Sequence, residues 1–335
     1  MTIKVAINGF GRIGRMVLRA LVESGRKDIH VVAINDLGSI QDNAHLFKYD
    51  SVHGRYTGKV STSADSLDVG QGPMKVFAEP QPEKLPWKNL DIDIVMECSG
   101  YFTDKASASQ HLTAGAKRVL ISAPATGADL TVVYGVNHQN ISQDHLVVSN
   151  GSCTTNCLAP VADVLHSGIG IQAGYMTTIH SYTGDQRLVD TLHKDLHRAR
   201  AAAVSMIPTS TGAAKALGLV LPGLQGKLDG CAIRVPTPNV SLIDFTFTPN
   251  RETSVDEINT LITNAAQGKL KGVLEVTSGP LVSIDFIHHP ASSIFDIGQT
   301  QVVEGKFCRV LSWYDNEWGF ANRMSDVAIV IGKTL

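Results

Sequence analysis

Apolar residues recur along the first half of the chain in two alternating rhythms. Val5-Ala6-Ile7 is a short apolar run of the kind shown by a strand buried on both faces. Ile13, Val17, Leu18 and Leu21 then fall near the spacing of one helix face. Val31-Val32-Ala33-Ile34 returns to the strand pattern. Further strands are predicted over 92–98, 118–122, 132–136 and 146–149, with a helix over 106–114 that stops at Gly115. Strands alternating with helices predict a doubly wound parallel sheet. Beyond residue 150 the rhythm changes. Leu158, Val161, Leu165 and Ile169 predict a helix. The runs 176–180, 231–235, 240–247, 281–286 and 308–314 predict a mostly antiparallel sheet, covered by a helix over 256–266. Phe320, Met324, Val327 and Ile331 predict a last helix that folds back onto the first domain. The expected organisation is an α/β domain over 1–150, completed by the helix 318–335, and an α+β domain over 151–317.

The turn after the first predicted strand reads Gly9-Phe10-Gly11-Arg12-Ile13-Gly14. Strand, glycine turn, helix, strand and acid within one short unit form a Rossmann-type fingerprint. The first glycine permits the tight turn, the second lets backbone approach a pyrophosphate, and the third lets the helix pack on the strand. The pyrophosphate is then expected at the helix N-terminus. Asp36 follows about 20 residues after the last glycine, where a carboxylate accepts from ribose hydroxyls and repels a 2′-phosphate, so NAD is favoured over NADP. Such sheets bind ligands beyond the carboxyl ends of their strands, which places Gly100 and Ser122 beside the cofactor.

Composition narrows the function classes. The 335 residues are 43% hydrophobic and 18% charged, with a formal net charge of -2, which argues against a nucleic-acid or anionic-membrane partner. No apolar run reaches the ~18 residues of a membrane span. The chain opens directly on a strand pattern, so no secretory signal is expected. The five cysteines form neither a disulfide framework nor a zinc-ligand spacing, so no metal is expected and a reducing cytoplasm is the simplest compartment.

One cysteine stands apart. Cys153 lies in Ser149-Asn150-Gly151-Ser152-Cys153-Thr154-Thr155, just ahead of a helical pattern. A thiol at a helix N-terminus meets unpaired N–H groups and the positive end of the dipole, both of which favour thiolate. Because it follows the last strand of the parallel sheet, the thiol is also expected to face the cofactor crevice. His180 ends a predicted strand and enters a polar turn, a setting suited to a base; within reach of Cys153 it would take the thiol proton and form a thiolate–imidazolium pair. Thr209-Ser210-Thr211-Gly212 offers hydroxyls and an N–H to a phosphate, and Arg198 and Arg234 are candidate bidentate phosphate partners.

Taken together, Ala6 to Arg15, Asn150 to Pro160, His180 to Gln186, Pro208 to Lys215, Arg234 to Asn239 and Ser312 to Arg323 resemble the phosphorylating glyceraldehyde-3-phosphate dehydrogenases, over essentially the whole chain. The resemblance implies a cytoplasmic, NAD-dependent glycolytic homotetramer that takes a small-molecule substrate and inorganic phosphate. It implies Cys153 as nucleophile and His180 as base. It implies Ser152, Thr154, Thr211, Gly212 and Arg234 as contacts for the attacking phosphate, and Thr183, Arg198 and Arg234 for the substrate's own. Arg12, Ile13, Asp36 and Ser122 are implied as cofactor contacts, and Asn316 as the residue orienting the nicotinamide carboxamide. Arg198 is implied to lie on a loop reaching toward a neighbouring subunit's cofactor. The chain departs from the family pattern at Gly151 (usually Ala), Phe320 (often Tyr), Leu192 (often Pro) and Pro80, which leaves at most a backbone contact to adenine. An erythrose-4-phosphate dehydrogenase on the same scaffold, which releases its acid by hydrolysis, is the nearer alternative; Thr183 and Asp36 fit the glyceraldehyde enzyme better. A non-catalytic binding protein is the alternative of another class, and the intact Cys153 and His180 weigh against it.

Overall fold

In the computed structural model, which describes residues 2–335, the alternating pattern of the first half becomes a nine-stranded sheet. Its strands are β1 (Ile3–Asn8), β2 (Ile29–Asn35), β3 (Ser61–Thr62), β4 (Ser66–Asp68), β5 (Pro73–Phe77), β6 (Ile94–Glu97), β7 (Arg118–Ile121), β8 (Leu130–Thr131) and β9 (Val147–Ser149). They run in the order β3-β4-β5-β2-β1-β6-β7-β9-β8. From β5 to β8 every pairing is parallel; only β3 and β4 add antiparallel edges. The strands β1, β6 and β7 are almost wholly buried, as parallel strands between helical layers must be. Strand order reverses at β1, where the chain leaves for β2 on one side and later returns to β6 on the other. That reversal opens a crevice at the carboxyl ends of these strands.

The helix α1 (Arg12–Glu23) leaves β1 through the glycine turn and buries Met16, Val17, Leu18 and Leu21. It ends at Gly25, whose φ of +67 and N–H to Val22 carbonyl close its last turn. The short α2 (Ile40–Lys48) starts on Ser39, which accepts from the Asp42 N–H. The helix expected over 106–114 is split into α3 (Lys105–Ala108) and α4 (Gln110–Thr113). Ser109 sits at the break, its hydroxyl donating to the Lys105 carbonyl. The strand expected over 132–136 is displaced to β8, because Gly135 at φ +88 turns the chain.

In the second half, α5 (Cys153–Ile169) is followed by β10 (Ala173–Ser181), β11 (Ile207–Ser210), α6 (Ala213–Val220), β12 (Leu228–Val235) and β13 (Ser241–Thr248). Then come α7 (Val255–Gln267), β14 (Leu274–Thr277), β15 (Ser293–Asp296), β16 (Gln301–Val303), β17 (Phe307–Tyr314) and α8 (Trp318–Gly332). The sheet runs β11-β12-β10-β13-β17-β15-β14, with β16 on β17. All its pairings are antiparallel except β10 with β12 and β14 with β15. The helix α5 packs against α6, α7, β15 and β17, and buries Cys157, Leu158, Val161, Ala162 and Leu165. Ser254 caps α7 by accepting from Glu257 N–H, and Ile258 and Ile262 are fully buried on its inner face. Residues 281–286, expected as a strand, instead form a 3-10 turn at Ser283–Phe286. The Asp285 carboxylate accepts the Val282 N–H at 2.8 Å and bends the segment.

By their internal contacts the residues separate into two units. The first takes the chain up to Tyr134, with His138–Ser152 and Ala321–Leu335; the second takes Gly135–Asn137 and Cys153–Phe320.

The third glycine of the first turn makes the closest approach to another stretch of backbone among the glycines of the first unit. A Cβ at Gly14 would stand 2.1 Å from the Gly9 carbonyl oxygen and 3.1 Å from Ile7 Cγ2. Gly14→Ala therefore forces α1 off β1, with an expected cost of about 1–3 kcal/mol. A lowered urea midpoint measures it; an unchanged midpoint would mean that the helix slides freely.

Candidate active site

The carboxyl ends of β1, β2, β5 and β6 line a cleft of about 560 Å³ in the first unit. Gly9 adopts φ +86, and a Cβ there would lie 2.4 Å from the Ser99 backbone nitrogen, so only glycine fits between the two loops. Nothing lies within 4 Å of a Cβ at Gly11, which leaves open space at the start of α1. That helix has no side-chain cap and no acid in its first turn, so its N-terminal amides suit an anion. Asp36 is held by two backbone amides: Phe10 N–H donates to Oδ2 at 2.8 Å and Gly38 N–H to Oδ1 at 2.9 Å. The fixed carboxylate keeps further lone pairs for hydroxyl donors. Glycine turn, uncapped helix end and oriented acid together fit a dinucleotide.

Of the sequence-predicted cofactor residues, Gly9, Gly11, Asp36 and Pro80 line this cleft. Gly14 lies under the turn, and the Arg12 guanidinium is paired with Asp50. Ile13 and Ser122 are outside the lining; the Ser122 N–H donates to the Glu97 carbonyl. The sequence reading missed Asn8, Asn35, Glu79, Ser99, Tyr101 and Phe102, which line the cleft. Asn8 and Asn35 carried a signal, being the polar residues that follow the apolar runs Val5-Ala6-Ile7 and Val31-Val32-Ala33-Ile34 at the carboxyl ends of their strands.

In the second unit α5 begins at Cys153. The Sγ lies 3.6 Å from His180 Nε2. His180 is near the end of β10, and the parallel register pairs it directly with Arg234 of β12. The ladder thus brings the guanidinium to the imidazole: Arg234 Nη1 is 2.9 Å from His180 Nδ1 and donates to the Ser181 carbonyl at 2.9 Å. The same carbonyl lies 2.7 Å from Nδ1. Nδ1 can therefore donate to the carbonyl or accept from the arginine, and Nε2 correspondingly accepts from, or donates to, the sulfur.

Tyr314, which the sequence reading did not single out, completes the back of the site. Its buried hydroxyl lies 2.9 Å from Thr154 Oγ1 and 2.8 Å from Thr178 Oγ1, and its ring meets the His180 ring edge-on with centroids 5.9 Å apart. Asn316 is anchored by its carbonyl, which accepts from Ser181 Oγ at 2.9 Å and Ser241 Oγ at 3.0 Å. The amide nitrogen is the part of Asn316 left to recognise a ligand. Val240, between Asn239 and Ser241, holds φ +66, a strained conformation for a β-branched residue beside this anchor.

Burial pushes the Cys153 thiol up, opposed first by Arg234 and then by the Thr154 hydroxyl and N–H. Burial likewise lowers His180 to about 3, with Arg234 adding to it. One cation thus acts on both groups in the same sense: it favours a thiolate and opposes an imidazolium. Burial therefore weighs against both charged members of the expected thiolate–imidazolium pair, and Arg234 is the first influence that opposes it at the sulfur. Arg234 itself is held below the usual guanidinium range by burial, and its buried Nε has no hydrogen-bond partner in the structure, as suits a residue facing an anion.

Arg198 lies on the loop before β11. It donates from Nε to Thr209 Oγ1 at 3.0 Å and from Nη1 to Asp185 at 2.7 Å. Thr211 Oγ1 accepts the Ala213 N–H at 3.2 Å, and Gly212 stands uncluttered at the start of α6. Thr183 lies in the turn after His180, closed by Gln186 N–H to its carbonyl. The Thr154 hydroxyl lies 2.9 Å from the Tyr314 hydroxyl, and both it and the Thr154 N–H act on the Cys153 sulfur. Ser152 immediately precedes Cys153, after Gly151 at φ +63, a left-handed conformation that suits glycine.

A model of the glyceraldehyde 3-phosphate dehydrogenase NAD-binding domain matches residues 3–105, and one of the C-terminal domain of the same family matches residues 152–316. The chain is 66% identical to a glyceraldehyde-3-phosphate dehydrogenase of Xanthobacter flavus over 333 residues, covering 99% of both. It is 64% identical to one of Cereibacter sphaeroides over 335 residues, covering all of both, and 58% identical to one of Zymomonas mobilis over 337 residues, again covering all of both.

Two outcomes follow from the charges around the sulfur. Replacing Arg234 by Leu removes the main influence that lowers the thiol, so the pH profile of Cys153 alkylation by iodoacetamide should move upward, by about one unit. An unmoved profile would take Arg234 out of thiolate stabilisation. His180 protonates near pH 6.5 in the unfolded chain but only at about 3 in the native one. Its contribution to stability is complete above 6.5 and is lost as pH falls toward 3. The urea midpoint of the native protein should therefore drop more steeply across that window than that of His180→Asn.

Proposed function

The chain therefore belongs to the glyceraldehyde 3-phosphate dehydrogenase family, and on that premise we propose that it oxidises D-glyceraldehyde 3-phosphate, with NAD and inorganic phosphate, to 1,3-bisphosphoglycerate and NADH. It is an NAD-dependent oxidoreductase acting on an aldehyde. The observation that carries the reading is the 3.6 Å approach of Cys153 Sγ to a histidine that is itself ordered by Arg234.

His180 Nε2 takes the thiol proton, and the Arg234 charge stabilises the sulfur anion left behind. Cys153 Sγ then adds to C1 of the aldehyde. The carbonyl oxygen takes up a proton from Nε2 and becomes the hydroxyl of a thiohemiacetal, with the Cys153 N–H at the start of α5 beside it. NAD, when bound, supplies an acceptor for the hydride that leaves C1. As C1 is oxidised, His180 Nε2 accepts the hydroxyl proton and a thioester forms. A phosphate oxygen next attacks C1 and expels the Cys153 thiolate. The acyl phosphate keeps the oxidation energy that hydrolysis would release.

Two phosphate groups must be held. Thr183, Arg198 and Arg234 are assigned to the substrate's own phosphate, and Ser152, Thr154, Thr211, Gly212 and Arg234 to the attacking one. Arg198 supports this role through its ion pair with the half-exposed Asp185, a partner that an incoming phosphate can displace. Asn316 is assigned to the nicotinamide carboxamide, which its fixed carbonyl anchor supports. Asp36 is assigned to the ribose hydroxyls, and Arg12, Ile13 and Ser122 to the edge of the cofactor site.

The active form is proposed to be a cytoplasmic homotetramer. The segment between β10 and β11 exposes Leu188, Val189, Leu192, Leu196, Val204 and Met206, a concentration of apolar surface that a neighbouring subunit would cover. No helix among the described residues is long and apolar enough to cross a membrane. All five cysteines are free, in keeping with a reducing compartment.

NADH formation followed at 340 nm tests the reaction. Cys153→Ser should lose phosphate-dependent turnover by at least about a thousandfold while binding NAD normally; retained turnover would exclude this nucleophile. Glyceraldehyde 3-phosphate should require phosphate, and a faster, phosphate-independent reaction with erythrose 4-phosphate would favour the alternative substrate. Light scattering should give four times the chain mass, and Leu192→Asp with Leu196→Asp should lower it.

A further inference from the structure

Behind the dinucleotide cleft the first unit buries a chain of polar side chains that the proposed chemistry does not use. Trp87 and His111 are wholly buried, and Glu97 is 1% exposed. Trp87 Nε1 donates to His111 Nδ1 at 3.0 Å. An indole can only donate, so Nδ1 carries no proton, and the neutral ring must carry its proton on Nε2. That nitrogen lies 3.0 Å from Glu97 Oε2 and donates to it. Asn8 Nδ2 donates to the same oxygen at 2.5 Å. The other oxygen, Oε1, accepts from the Ser99 N–H at 2.7 Å and from the Ser99 hydroxyl at 2.5 Å. Every group around the carboxylate is a donor, so both of its buried oxygens are satisfied.

The chain continues toward the ligand side. Asn35 Nδ2 donates to Asn8 Oδ1 at 2.7 Å and to the Glu79 carbonyl at 2.9 Å, and Asn35 Oδ1 accepts the Glu79 N–H at 2.9 Å. The ring of His111 also lies edge-on against Phe102, 6.3 Å between centroids. Asn8, Asn35, Glu79, Ser99 and Phe102 all line the cleft. A single carboxylate thus ties the loop after β6 to the end of β1, and through Asn35 to the loop after β5. Ser99 is also the residue against which Gly9 closes.

We propose that Trp87, His111 and Glu97 are positioning residues for the dinucleotide: by fixing one histidine tautomer they orient Glu97, and Glu97 holds the Ser99 loop and Asn8 in the geometry that receives NAD. The proposal rests on the dinucleotide reading of the cleft. None of these three residues touches the reacting atoms. Their effect is on how much ordering remains to be done when NAD binds, because a preformed cleft binds more tightly than one that must be ordered.

Calorimetric titration of NAD into the substrate-free protein tests it. His111→Phe keeps a ring of similar size but removes both polar contacts, and should raise the Kd for NAD about tenfold, on the order of one to two hydrogen bonds. His111→Gln places an amide nitrogen where Nε2 stands, and should return the Kd to within about threefold of the native value. In turnover, the KM for NAD should rise more than kcat falls, and the KM for glyceraldehyde 3-phosphate should stay put. Native affinity in His111→Phe would overturn the proposal. So would equal losses in the Phe and Gln variants accompanied by a matching rise in the aldehyde KM, since that is general loosening of the fold. Should His111→Phe fail to fold, Glu97→Gln carries the same test: it should weaken NAD, and native affinity would overturn the proposal. A native protein that does not bind NAD would instead refute the dinucleotide reading itself.

Discussion

The chemistry of the second unit depends on one buried guanidinium. Arg234 reaches His180 because β10 and β12 run parallel in a register that sets the two residues side by side. Placed there, it touches the imidazole and the carbonyl that orients it. Its charge lowers the proton affinity of both Cys153 and His180. Burial alone would keep the thiol protonated and inert. The cation opposes that effect at the sulfur, and the imidazole 3.6 Å away is placed to take the proton. A positive group is also what an incoming phosphate needs.

The first unit solves a different problem with neutral groups. A pyrophosphate must lie against backbone, so the turn from β1 to α1 is built where a side chain would collide or block: Gly9 against Ser99, Gly14 against Gly9, and Gly11 facing open space. The buried polar side chains behind this turn satisfy one another: Asn8 and the Ser99 hydroxyl donate to the Glu97 carboxylate, and Asn35 donates to Asn8. The cost of burying such groups makes the arrangement all or nothing, because an unmatched buried donor costs about 1–3 kcal/mol, more than the ~1 kcal/mol a matched one contributes. That gives the cleft a defined shape before any ligand arrives.

Backbone strain marks the second unit in a comparable way. Val240 holds a conformation that costs about 1–3 kcal/mol for a branched side chain. Ser241, next to it, supports the Asn316 carbonyl, and Ser181 supports it from β10. Two serines distant in sequence are thereby locked to one amide. Strain at that point is tolerable because the surrounding ladder of β10, β13 and β17 over-determines the position.

Much of this was legible in the chain itself. The alternation of buried runs and helical faces specified the parallel sheet, since a strand covered on both sides has no polar alternative. The spacing of Gly9, Gly11, Gly14 and Asp36 specified what sort of ligand the turn receives, because these are local backbone requirements. Cys153 at a helix start and His180 at a strand end were visible for the same reason. Three-dimensional pairing decided the rest. No local rule places Arg234 beside His180, Tyr314 between two threonines, or Trp87 in contact with a carboxylate through His111; each depends on which strands became neighbours and in what register. Short segments failed likewise: 281–286 and 132–136 have strand composition, yet Asp285 capping a turn and Gly135 at positive φ outweigh it. Chain pattern determines where a residue can face, and tertiary structure decides what it meets, because charge and hydrogen bonding act through space between residues that sequence keeps far apart.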